Sequence, residues 1–118
     1  MPELPEVETV RTGLSRSWIG KRIDGVELRR ESLRFPFPDN LDKRLTGRTI
    51  TNIRRRAKYL LIDLDNDEIL LSHLGMSGKW ILDASSSEGK HDHVVLYLDD
   101  GTMSIYNDPR RFGVLDLM

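Results

Sequence analysis

Cysteine is absent from this 118-residue chain. These residues therefore offer neither a disulfide framework nor a thiolate zinc site, and they leave the redox compartment open. Long apolar runs are also missing. The longest is Val94 to Leu98, far short of the roughly 20 residues a membrane-spanning helix needs. The opening Met-Pro-Glu-Leu-Pro-Glu is acidic and has no apolar stretch behind it, so it does not read as a signal peptide, and the cytoplasm is the expected compartment. Internal repeats are lacking, and the only low-complexity tract is the short loop Ser85-Ser86-Ser87-Glu88-Gly89. What is present is an ordinary globular mixture, 38% apolar and 31% charged, which excludes a fibrous or disordered chain. The length suits one domain with a single core.

The net charge of −1 conceals an asymmetry. Residues 1–60 hold 14 Lys/Arg and 8 Asp/Glu, a net of +6, whereas residues 61–118 hold 4 and 11, a net of −7. Such a split is compatible with a basic face that meets a polyanion. Outer faces of strands and helices that simply carry solvated charge would produce it equally well.

Periodicity predicts a helix over 5–18. Pro5 suits the first helical position, Glu6 and Glu8 lie in the first turn, and Leu4, Val7, Val10, Leu14 and Trp18 form one apolar stripe before Gly20. A short second helix is expected after Asp39, with Leu41 and Leu45 inward and Gly47 as its stop. The remainder reads as short strands: Ile23–Leu28, Thr49–Ile53, Tyr59–Leu64, Glu68–His73, Lys79–Leu82, Val94–Leu98 and Thr102–Tyr106. Asp65-Asn66-Asp67 and Asp99-Asp100-Gly101 are hairpin turns, because these residues tolerate a left-handed backbone. The expected fold is α+β and mainly β, an antiparallel sandwich of seven or eight strands flanked by two helices. The apolar end Val114 to Met118 is expected either to lead into a further domain or to form a last strand.

Several clusters of residues carry possible chemistry. If Met1 is removed, Pro2 becomes the free N-terminus, with an α-amine of pKa near ~8 that attacks a carbonyl-like carbon. Glu3 beside it is placed to handle protons, and Glu6 lies one helical turn on. Helix initiation alone would also explain Pro2 and Pro5. In Arg54-Arg55-Arg56-Ala57-Lys58-Tyr59, strand parity puts Lys58 on the apolar face with Leu60 and Ile62. That suggests either a lysine tuned for proton transfer or one that snorkels out, and the arginines either clamp phosphates or decorate an edge.

Asn107-Asp108-Pro109-Arg110-Arg111-Phe112-Gly113 joins forked cations to a flat ring, the combination used to grip a phosphate and wedge a base stack. Ser72-His73-Leu74-Gly75-Met76-Ser77-Gly78 has two glycines that permit close approach, with Met76 between them either exposed or in the core. His91-Asp92-His93 sets two imidazoles on one face. With Asp63 or Asp108 they would make a metal site for a hydrolase, and otherwise they serve as phosphate-contacting or hydrogen-bonded histidines.

In this order the stretches PELPEVETV (2–10), RRAKYLL (55–61), HLGMSG (73–78), HDHV (91–94) and NDPRRFG (107–113) resemble the N-terminal domain of the bacterial formamidopyrimidine-DNA glycosylases, along the whole chain. The endonuclease VIII branch fits less well, since it departs after the opening Pro-Glu. The resemblance implies a base-excision repair enzyme acting on oxidised purines in damaged double-stranded DNA, as a monomer and with no membrane. On matching positions it implies Pro2 as the Schiff-base nucleophile at the sugar C1′, Glu3 as acid/base and Lys58 as support for the elimination. His91 and Arg110 would hold DNA backbone, and Met76, Arg110 and Phe112 would fill the gap left by the extruded nucleotide.

The family continues into a helix-two-turn-helix module and a zinc finger, and residues 1–118 correspond to neither. No metal or cofactor is therefore expected within them, and a chain cut before its partner domain is expected to be weakly active or inactive alone. A non-catalytic damaged-DNA-binding module is the alternative reading of the same features.

Overall fold

The computed structural model describes residues 3–87 and 89–118. Helix α1 runs Leu4–Trp18, with a proline in its first turn and Glu6 there to complement the positive end of the helix dipole. Its buried stripe is Val7, Leu14 and Trp18, and the chain turns away at Gly20, whose φ of +85° favours glycine. Helix α2 spans Leu41–Leu45 and buries both terminal leucines.

The described residues also form eight strands: β1 Ile23–Leu28, β2 Ile50–Arg56, β3 Tyr59–Leu64, β4 Ile69–His73, β5 Lys79–Ala84, β6 Asp92–Leu98, β7 Met103–Asn107 and β8 Val114–Leu117. They form two four-stranded antiparallel sheets, ordered β1-β6-β7-β5 and β2-β3-β4-β8. The expected sandwich with two flanking helices is the observed one. The ends differ in places. β2 continues three residues beyond Ile53 because Arg54 to Arg56 stay paired with Leu61 to Tyr59, and β6 starts at Asp92, which pairs with Asn107. The last residues form a strand: β8 pairs with β4, Leu70 opposite Leu117 through His73 opposite Val114.

Glu68 and Thr102 precede β4 and β7 rather than opening them, and Lys58 does not extend β3 as its expected parity requires. It stands in the tight β2–β3 turn after Ala57, whose φ is +52°, rather than inside a strand beside Leu60 and Ile62. Strand parity fails there because the turn, not the pleat, sets its direction.

The core lies between the sheets. Leu60, Ile62 and Leu70 from one sheet meet Leu96 and Tyr106 from the other, and α1 covers β2, β3 and β5 with Trp18. Two indoles fix the layers. Trp18 donates to Ser104 Oγ at 2.8 Å and Trp80 to Ser72 Oγ at 3.1 Å, while the two rings meet edge to face at 4.9 Å. Each buried indole N–H thus has an acceptor, which removes the penalty of an orphaned donor. No helix among the described residues is long and apolar enough to cross a membrane.

Candidate nucleic-acid interface

Two loops leave the same end of the sandwich and pack on each other. The first, 74–78, follows β4, and the second, 108–113, joins β7 to β8. Their contact is backbone to backbone. A Cβ at Gly75 would stand 2.5 Å from the Phe112 carbonyl carbon and 2.7 Å from the Gly113 nitrogen. One at Gly78 or Gly113 would collide with the Tyr106 hydroxyl. Glycine at these positions is a packing requirement.

Between the loops sits the fully buried carboxylate of Asp108. Its Oδ1 accepts from the Ser77 hydroxyl at 2.7 Å and the Arg111 N–H at 3.0 Å, and its Oδ2 from the Tyr106 hydroxyl at 3.0 Å and the Gly113 N–H at 2.9 Å. Burial, reinforced by the Asp108 charge beside it, pushes the Tyr106 phenol well above its ordinary range, so it stays a donor.

The loops hold outward what a core would normally hide. Met76 is 50% exposed and Phe112 46%, and Arg110 sets a guanidinium nitrogen 3.6 Å from the Met76 sulfur. With Leu33, Arg34, His73 and Arg111 they line a cleft of about 540 Å³. Of the two readings of Met76, the exposed one is therefore correct. His73 turns its Nδ1 to accept the Gly75 N–H at 3.0 Å, which leaves Nε2 as the protonated nitrogen of the neutral ring. Burial, with the nearby charges of Lys58 and Arg34, holds its pKa below the usual histidine value.

The other sequence-derived candidates fall at different distances from this cleft. Lys58 is half-buried in the β2–β3 turn, close enough to act on His73 electrostatically. Glu3 is the exposed N-cap residue of α1, and its carbonyl accepts the Val7 N–H at 3.0 Å. Pro2 lies outside the described residues. His91 is half-buried, and its carbonyl accepts the Asp108 N–H at 3.0 Å, so it abuts the start of the second loop.

The paired histidines do not build a metal site. His91 and His93 rings are 6.4 Å apart, and Asp63 is clamped by Arg54 through two 2.8 Å bonds. The Asp108 carboxylate is saturated as described, and among the described residues no three His, Asp or Glu converge. His93 instead donates Nε2–H to the Asp108 carbonyl at 2.8 Å. Two of the three strand arginines are likewise committed, Arg54 to Asp63 and Arg55 to Glu8 at 3.1 Å. In the chain without DNA these two are thus held by carboxylates along the edge strand β2.

Sequence reasoning missed three contributors. Arg34 sits in an irregular segment with no periodic signal. Tyr106 reads as ordinary strand. Asp108 enters the sequence reading only as a metal ligand, although Asp followed by Pro at a loop entrance signals side-chain capping of local amides.

The formamidopyrimidine-DNA glycosylase N-terminal domain family matches residues 1–115. Among curated relatives, the formamidopyrimidine-DNA glycosylase of Rhizobium etli is 51% identical over 134 residues, and that of Beijerinckia indica 55% over 126. All of this chain is covered in both cases, but only 45% and 44% of those proteins, so the chain spans about half their length. Among solved structures, the Lactococcus lactis Fpg protein bound to DNA containing an abasic site superimposes with a TM-score of 0.86 at 39% identity. It covers 99% of this chain and 44% of that one. A second complex of that protein, with tetrahydrofuran-containing DNA and an inhibitor, gives 0.87 at 41%, covering 99% and 43%.

Proposed function

We propose, because the chain belongs to the formamidopyrimidine-DNA glycosylase family through its N-terminal domain, that it acts in base-excision repair as one wall of a DNA-binding cleft. Its substrate class is oxidised purine in damaged double-stranded DNA, and its chemistry is base removal followed by strand nicking at the abasic site. The observation that carries this reading is the exposed knot of Met76, Arg110 and Phe112 held by two interlocked loops.

A base inside a duplex is out of reach, so it must leave the stack, and something must occupy the vacancy. Unstacking costs on the order of a few kcal/mol per step, and an inserted apolar side chain offsets part of it. Met76 and Phe112 are apolar and outward, and Arg110 adds a forked cation for the backbone or the widowed base. Arg34, His73 and Lys58 gather positive and hydrogen-bonding groups on the same side, which suits a phosphate. His91 extends the backbone grip.

In the chemistry, the unprotonated secondary amine of Pro2, freed by removal of Met1, attacks C1′ of the sugar. The bond to the base breaks and the base leaves with a proton; the sugar C1′–O4′ bond then opens, O4′ taking a proton, and the nitrogen lone pair closes the iminium. Glu3 at the start of α1 delivers and takes protons, and Lys58 assists the β-elimination that cleaves the 3′ phosphate ester. The family's zinc finger requires cysteines, and these residues contain none. The same reading puts the protein in the bacterial cytoplasm, acting on the chromosome.

Borohydride trapping on an abasic duplex tests the proposal, with intact mass confirming loss of Met1. A covalent adduct that disappears in Pro2→Gly is expected. Salt-sensitive binding unchanged by Pro2→Gly, with no adduct at high protein concentration, would leave the non-catalytic DNA-binding module standing instead.

A further inference from the structure

Asp108 is an unusual expenditure for an exposed loop. Its carboxylate is wholly buried, and all four of its partners are neutral donors: Ser77 Oγ, Tyr106 Oη and the Arg111 and Gly113 amides. A buried charge is costly unless hydrogen bonds satisfy it, and an ionised carboxylate offers about four acceptor positions, all filled here. Neither an amide nor a protonated acid substitutes for it, because each would turn an N–H or O–H toward a donor. The residue's main chain is committed too, its N–H to the His91 carbonyl and its carbonyl to His93 Nε2.

What these bonds restrain is not core. Arg110, Arg111 and Phe112 are all exposed, and Arg111 takes a φ of +57°, a left-handed backbone that strains a non-glycine residue. Ser77 relays the restraint between loops, since its hydroxyl donates to Asp108 while accepting the Arg110 N–H at 3.1 Å. Met76 precedes that serine, and Phe112 lies between the two amides that Asp108 binds. One carboxylate thus governs the spacing of all three outward side chains.

We propose that Asp108 is a positioning residue that sets Met76, Arg110 and Phe112 at the separation required to enter a gapped base stack together. The inference rests on the wedging role proposed above. It is tested in the 118-residue chain with Asp108→Asn, and with Ser77→Ala as a milder variant that removes only the two bonds of that hydroxyl, to the Asp108 carboxylate and from the Arg110 N–H. The readouts are amide hydrogen exchange, and the fluorescence of 2-aminopurine placed beside a tetrahydrofuran abasic site.

In Asp108→Asn, exchange at Arg111 and Gly113 is expected to rise about tenfold or more while β3 and β6 amides keep their protection. The fluorescence increase on binding should fall several-fold in both variants. Ser77→Thr, which retains the hydroxyl, should restore the signal. Loop exchange that stays at wild-type rates in both variants overturns the proposal. So does loop exchange that rises with the fluorescence response intact, or protection lost equally in β3 and β6. A wild-type chain that gives no fluorescence increase on the abasic duplex removes the wedge itself and the proposal with it, a result distinguished by appearing before any substitution is made.

Discussion

Arg55 on β2 donates from Nε to Glu8 Oε1 on α1 at 3.1 Å, joining residues 47 apart in sequence. The same carboxylate receives Arg11 from the next helical turn at 2.9 and 2.6 Å. One acidic side chain therefore docks the helix that starts beside Glu3 onto the strand that leads into Lys58.

That docking has a predictable pH signature. Hydrogen bonds from Arg11 and then Arg55 hold the Glu8 carboxyl down to about 2, against an ordinary value of 4.5. A carboxylate depressed on folding contributes stability that is complete above its unfolded pKa and is lost as pH falls toward its folded one. Glu8→Gln should lower Tm by a constant, modest margin from pH 7 to 5, and the margin should close between about 4.5 and 2. A margin that persists unchanged below pH 2, or that is absent at neutral pH, would contradict the assignment.

The outward side chains should separate function from folding. Met76→Ala and Phe112→Ala remove groups that are about half exposed, so thermal stability should move by no more than about 0.5 kcal/mol. Preference for abasic over intact duplex should drop markedly in both. Arg110→Ala should flatten the slope of log affinity against log salt by about 1, as expected for one lost phosphate contact. Titrations at three salt concentrations suffice to check it.

Trp80 and Ser72 offer a test of the core. The indole donates across the sandwich, from β5 to β4, to a hydroxyl that is fully buried. Ser72→Ala should cost ~1–3 kcal/mol in urea melts by orphaning that N–H. In a double-mutant cycle with Trp80→Phe the two losses should fall short of additivity by about 0.5–1.5 kcal/mol. Strict additivity would mean that the bond contributes nothing.

His73 should titrate below the ordinary histidine value of 6.5 in the free protein, because burial and then the charges of Lys58 and Arg34 oppose its protonation. Its contribution to stability is then complete above that value and declines as pH falls through the lower folded pKa. A phosphate in the cleft supplies the missing counter-charge, so abasic duplex should raise the imidazole pKa. NMR titration of the ring carbon protons with and without DNA reads both shifts, and Lys58→Met should raise the free value.

Much of this was legible from local pattern. Helix α1 followed from its apolar stripe and Pro5, and the hairpins from Asp65 to Asp67 and Asp99 to Gly101, because those signals depend only on neighbours in sequence. Where long-range partners decide, the pattern was silent. Arg54 and Arg55 read as potential phosphate ligands until Asp63 and Glu8 claimed them. Lys58 was given a strand's parity because nothing in its neighbours announced a left-handed Ala57. The site showed the same division. Met76, Arg110 and Phe112 were visible as residue types out of place, whereas Arg34 joins them only through the fold.

The close approach of Gly75 to Phe112 and Gly113 has a further thermodynamic consequence. Loops normally surrender conformational freedom when they meet a ligand, and that loss is subtracted from affinity. Here the freedom is already gone, since backbone touches backbone with no space for a methyl group. The ordering of the two loops falls on the folding equilibrium rather than on association. Loosening them by substitution should therefore show up as weaker, slower-locking complexes even where every contacting side chain is retained.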